Sequence, residues 1–123
     1  MDMACRGVRG ATTCTSNTRD AILAATSELM RAVIDANHID KADVASVWFT
    51  TTADINAEFP AVAARQLGWT DTALMCTHEM TVPGSLPACI RLIMHWNTSK
   101  PQAEIVHVYL HGAAVLRPDR AKS

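Results

Sequence analysis

The sequence predicts an α+β fold in which a five-stranded mixed sheet packs on one long helix. Three features carry that expectation. Residues 18–37 place Ile22, Ala25, Leu29, Val33 and Ala36 at three- and four-residue steps, with Leu23, Met30 and Ile34 widening the stripe, which is the period of an amphipathic helix. Residues 44–52 concentrate β-branched and aromatic side chains. Residues 88–97 are apolar on both parities, as in a strand buried on both faces.

The elements follow in order. Residues 4–13 form an opening strand, with Val8, Thr12 and Thr13 set around Gly7 and Gly10. The long helix is capped by Asn17 or Thr18, carries Asp20 in its first turn, and closes at Asn37 and His38. A short turn at 40–43 leads into the second strand, 44–52. Residues 54–68 return to helical composition, with Pro60 suited to a first turn and Gly68 placed to terminate. Residues 74–78 are a short third strand, and 81–87 a loop punctuated by Pro83, Gly84 and Pro87. The fourth strand is 88–97, a helical turn begins near Pro101, and 105–116 reads as strand material broken at Gly112. One helix of about 19 residues covers only part of such a sheet. The uncovered face predicts a homo-oligomer in which sheets of neighbouring subunits meet.

The chain has 123 residues, the size of one domain spanning 1–123. Eleven Lys and Arg against 12 Asp and Glu give a net charge of -1, so the basic footprint of a nucleic-acid binder is missing. No apolar run approaches the roughly 18 to 20 residues that span a bilayer. The start Met1-Asp2-Met3-Ala4-Cys5-Arg6 has no apolar leader pattern, which predicts a cytoplasmic protein. Cys5, Cys14, Cys76 and Cys89 show no Cys-x-x-Cys spacing and are expected to be free thiols.

Charged residues inside apolar strands are the informative feature. Arg9, Arg91 and Arg117 each interrupt or end such a segment, and arginine is seldom buried without a partner. Taken singly, each can pair with a structural carboxylate or reach solvent at a strand end. With only four Glu in the chain, partners are scarce, and guanidinium forks suit an external carboxylate. Glu79 ends the third strand, where functional side chains often lie, and Tyr109 needs a partner for its hydroxyl if it packs in the core. Metal and nucleophile readings are weak. His107 and His111 on one strand stand about 13 Å apart at ~3.3 Å per residue. Cys76 and His78 supply two ligands without a third, and no orienting group or phosphate loop is visible. Arginines, one glutamate and no metal or cofactor signature point to binding of a small polyanion.

Beyond these readings, the chain resembles the trimeric, β-rich class of chorismate mutase. The resemblance rests on Arg6-Gly7-Val8-Arg9-Gly10-Ala11-Thr12-Thr13, on Phe59-Pro60-Ala61 with Arg65, on residues 76–80, and on Cys89-Ile90-Arg91. The tail Val108-Tyr109-Leu110 through Val115-Leu116-Arg117-Pro118-Asp119 completes it, so coverage is nearly end to end. It implies a trimer whose sheets enclose a pseudo-α/β barrel, with active sites at subunit interfaces and no cofactor. The reaction implied is the Claisen rearrangement of chorismate to prephenate, feeding phenylalanine and tyrosine synthesis. By position, Arg91 would contact the ether oxygen, Arg9 and Tyr109 a substrate carboxylate, and Glu79 with the backbone around Cys76, Thr77 and His78 the ring hydroxyl. Phe59, Ala61, Leu74, Met75 and Leu116 would wall the cavity, with Arg65 and Arg117 adding positive charge at its mouth. Val62 stands where the family pattern has a lysine, and Met75 replaces a smaller polar residue. Two other readings are a trimeric imine deaminase of similar architecture, whose own signatures are missing here, and a non-catalytic metabolite-binding module.

Overall fold

The computed structural model describes residues 2–117. These form β1 (Ala4–Thr13), α1 (Arg19–Asn37), β2 (Val44–Thr51), α2 (Ala61–Gln66), β3 (Ala73–His78), β4 (Cys89–Thr98) and β5 (Val108–Tyr109). Two 3-10 turns, Lys41–Asp43 and Gln102–Glu104, lie between them, and a third, His111–Leu116, follows β5. The strands make one mixed sheet in the order β3-β2-β4-β1-β5, with β1·β5 and β2·β3 parallel and the two β4 pairings antiparallel. No helix among the described residues is long and apolar enough to cross a membrane.

The long helix forms as its pattern dictates. Thr18, not Asn17, is the N-cap, its side chain accepting from the Ala21 amide, and His38 closes the C-terminus in a left-handed conformation. The stripe buries Ile22, Leu29, Met30 and Val33 completely, and the last three pack on Val8, Val47, Phe49, Leu92 and Met94 of the sheet. Asn37 ends this face by donating to the Val33 and Val106 carbonyls and accepting from the Val106 amide. Gly10 lets β1 lie flush on α1. A Cβ there would stand 2.9 Å from Val33 Cγ2 and 3.1 Å from Leu29 Cδ1. Gly10→Ala should therefore cost about 1–3 kcal/mol as overpacking, read as a lowered urea midpoint at unchanged slope. An unaltered midpoint would mean that the helix gives way freely.

Two expected elements are shorter than their composition suggested. Residues 54–59 are not helical, and only Ala61–Gln66 is. Their amides are taken elsewhere: Ile55 by the Thr52 carbonyl, Asn56 and Ala57 by the Asn17 side chain, Phe59 by Glu58. Helical i−4 carbonyls therefore go unused there. Likewise 105–116 is no continuous strand. Only Val108–Tyr109 pairs with β1, after which the His111–Leu116 turn begins at a left-handed His111 (φ 50°). His107 thus lies before β5 and His111 after it, not on one long strand. All four cysteines are free.

Strand parity divides the sheet. Val8, Gly10, Val47, Phe49, Leu92 and Met94 face α1. The other face lies away from the helix and leaves Trp48 43% exposed and Met75 54% exposed. That second face carries Arg9 and Arg91.

Candidate active site

Directly opposed residues share a face, so the register fixes which side chains meet. One row across the sheet reads Thr77, Thr50, Arg91, Ala11 and Tyr109, from β3 to β5. The next reads Met75, Trp48, Ile93 and Arg9. Ala11 lies between Arg91 and Tyr109 in this row, and Tyr109 is not among the residues lining the cleft that holds Arg91.

Glu79 joins this face from the end of β3, where its amide donates to the Thr51 carbonyl at 2.8 Å. Thr50 Oγ1 donates to Glu79 Oε2 at 3.0 Å, and Arg91 Nη1 lies 3.5 Å from the same oxygen. This contact uses one corner of the Arg91 fork and leaves the rest of its donors available. Arg9 is exposed and makes no ion pair among the described residues; its backbone amide donates to His107 Nδ1 at 2.9 Å. Arg9, Glu79 and Arg91, with Trp48, Thr50 and His95, line a cleft of about 490 Å³. A smaller adjoining recess of about 190 Å³ carries the same Glu79 and Arg91 round to Leu116. Arg117 is exposed just beyond it, while Pro118 and Asp119 lie outside the described residues.

Burial, and secondly the nearby Arg9 charge, lower the pKa of His107 below the ordinary 6.5. Its Nδ1 is already committed as an acceptor, which agrees with a neutral ring. In an NMR titration His107 should protonate below pH 6.5. The folded state binds that proton less readily than the unfolded chain, so the stability involved is complete above the unfolded value and lost as pH falls through the folded one. A midpoint at or above 6.5 would contradict this placement.

Of the remaining expected residues, Phe59, Cys76, Thr77 and His78 line a different groove, of about 300 Å³, together with Thr51 and the rest of residues 55–60; Ala61, Arg65, Leu74, Met75 and Tyr109 do not line it. Phe59 stands 66% exposed on its rim. Ala61 opens α2 and is buried, with its backbone at hydrogen-bonding reach of the Cys76 thiol. Burial pushes that thiol up, while the Ala61 backbone and then the Arg65 charge oppose the rise. His78 is held by Thr51, with Oγ1 and Nδ1 3.0 Å apart. Leu74 packs against the main core on the helix side, whereas Met75 lies on the opposite face beside Trp48. The groove and the arginine cleft share no lining residue.

Sequence reasoning passed over Thr50, which orients Glu79, and Trp48 and His95, which shape the cleft. The signal was present as parity: Ser46, Trp48 and Thr50 alternate with the buried Val47, Phe49 and Thr51. His95 is fixed by Ser46, whose Oγ lies 2.8 Å from its Nδ1.

An open guanidinium cleft with one oriented carboxylate suits an anionic ligand that also offers a hydroxyl. Comparison with known proteins agrees. Residues 5–120 match the family described as chorismate mutase type I. The chain is 47% identical over 115 residues to chorismate mutase AroH of Thermus thermophilus, covering 93% of this chain and 94% of that one. It is 44% identical over 118 residues to chorismate mutase AroH of Bacillus subtilis (strain 168), covering 95% and 93%. The solved chorismate mutase from Clostridium thermocellum superposes with a TM-score of 0.87 at 51% identity, covering 89% of this chain and 97% of that one. With family, relatives and fold in agreement over nearly the whole chain, the protein belongs to the type I chorismate mutases.

Proposed function

We propose that the Arg9–Glu79–Arg91 cleft of one copy and the Phe59–Cys76 groove of its neighbour close on each other as a single pocket, repeated three times in a homotrimer. In that pocket chorismate rearranges to prephenate, a step of aromatic amino acid synthesis. The observation that carries the reading is the division of the site. Arg9, Glu79 and Arg91 line one cleft, Phe59 and Cys76 line another, and neither alone encloses a ligand. The exposed Trp48 and Met75 on the helix-free face support burial of that face between copies. Four free thiols suit a reducing cytoplasm.

The rearrangement breaks a C–O bond as a C–C bond forms, within one molecule. It calls for no nucleophile and no proton carrier. The residues therefore act by shape and charge. Arg9, helped by the Tyr109 hydroxyl, holds a carboxylate and so favours the folded, pseudo-diaxial conformer, which removes part of the entropy cost before the bonds shift. Glu79, aimed by Thr50, accepts the ring hydroxyl and fixes the ring's orientation. Arg91 places its remaining donors at the ether oxygen, where negative charge grows as the C–O bond lengthens. Being fixed in the sheet, that charge needs no reorganisation at the moment of reaction. Phe59 of the neighbour walls the site, Leu116 covers it, and Arg65 and Arg117 draw the dianion toward it, while Ala61 is buried in the core and supports the groove from behind.

Mixing purified protein with chorismate and following its ultraviolet absorbance tests the reading. The expected result is loss of absorbance in proportion to enzyme, with prephenate as the product. Absorbance that decays no faster than in buffer would overturn it, and ammonia release from a reactive imine would favour a deaminase instead.

A further inference from the structure

The segment carrying Phe59 has an unusual support. Ile55 before it is 2% exposed and Pro60 after it is buried, but Asn56, Ala57 and Phe59 between them are exposed and bury nothing that would fix their path. Phe59 is tied to α2, its carbonyl accepting from the Val62 amide at 3.1 Å, whereas Asn56 and Ala57 are held from the entrance to α1. Asn17 Oδ1 accepts from the Asn56 and Ala57 amides, both at 2.9 Å, and Asn17 Nδ2 donates to Asn56 Oδ1 at 2.8 Å. Two residues on, Arg19 Nε donates to Glu58 Oε2 at 3.0 Å, while Glu58 Oε1 accepts the Phe59 amide at 2.8 Å. One exposed asparagine thus makes three hydrogen bonds across about 40 residues of sequence, to the stretch directly before Phe59.

We propose that Asn17 is a positioning residue for the mutase reaction: it sets where Phe59 stands, and with it how tightly the pocket grips its substrate. The inference rests on the shared-pocket reading above. The helix itself is capped by Thr18, so Asn17 is not needed for that purpose. The Arg19–Glu58 pair is secondary, because Arg19 is 57% exposed and such pairs contribute little. Phe59 as a wall touches ground state and transition state alike, so its displacement weakens binding more than it slows chemistry.

The test compares Asn17→Ala and Asn17→Asp with the unaltered chain in the assembled enzyme. For N17A, KM for chorismate should rise about tenfold with kcat changed less than about threefold. Amide exchange at Asn56 and Ala57 should quicken by about tenfold or more. N17D keeps an acceptor for both amides and should bring KM back to within about threefold of the unaltered value. Loss of general stability would not give that split or that rescue. If N17A does not fold, Asn17→Ser shortens the acceptor out of reach and gives the same readouts. Unchanged exchange, or quickened exchange with unchanged KM, would overturn the proposal while leaving the mutase reading intact. An unaltered chain that fails to turn chorismate over would remove that reading first, and this inference with it.

Discussion

Arg91→Met should lower kcat by at least the ~10²- to 10³-fold that follows removal of one oxyanion donor, while the protein folds as before. The size of the effect follows from what Arg91 is asked to do. Charge that appears only as the C–O bond breaks is met by a donor already in place, so the interaction is stronger in the transition state than in the ground state and appears in kcat. Folding is spared because Arg91 is half-exposed, and its contact with Glu79 is a partly solvated pair at 3.5 Å. Methionine retains most of the packing along Thr50 and Ala11, the neighbours of Arg91 in its row. Steady-state kinetics beside a thermal melt distinguish the two effects. Near-normal turnover would remove Arg91 from the mechanism, and a collapsed melt would make it a structural residue.

The second large effect is expected on dissociation. Interface substitutions or dilution that split the assembly into single chains should abolish turnover per chain. Each chain then keeps its cleft of about 490 Å³ with Arg9, Glu79 and Arg91 but loses the Phe59 wall of its neighbour. An open cleft leaves the substrate in water, where the charge of Arg91 is screened and the folded conformer is not enforced. Sedimentation run beside the absorbance assay reads both quantities, and a monomer with full activity would contradict the shared pocket.

Much of this was legible in the residues, for identifiable reasons. The α1 stripe and the β-branched run of β2 carry period and propensity together, so they fold where the pattern puts them. The apolar-on-both-parities pattern of β4 likewise marks the centre of the sheet, between β2 and β1. Residues 54–59 misled because their helical composition is overridden by side chains distant in sequence, above all Asn17, which no local pattern reveals. Residues 105–116 misled because a β-rich composition does not record that the strand lies at an edge, pairs over Val108–Tyr109 alone, and then turns at His111. In the site, Arg9 and Arg91 stood out as charges within apolar strands and do share a cleft. That Glu79 joins them, oriented by Thr50, depends on the register of β2 with β3 on one side and β4 on the other, which follows from tertiary pairing and not from spacing along the chain.

The sharing of the pocket between copies is tested most directly by mixing two inactive variants. Arg91→Met spoils the cleft, and Phe59→Asp sets a negative charge in the groove facing a dianionic substrate. Unfolded and reassembled together in equal amounts, the two should regain about a quarter of full activity, because random ring assembly joins an intact cleft to an intact groove at that share of interfaces. A mixture as inactive as its components, although it assembles fully, would show that each chain carries its site alone.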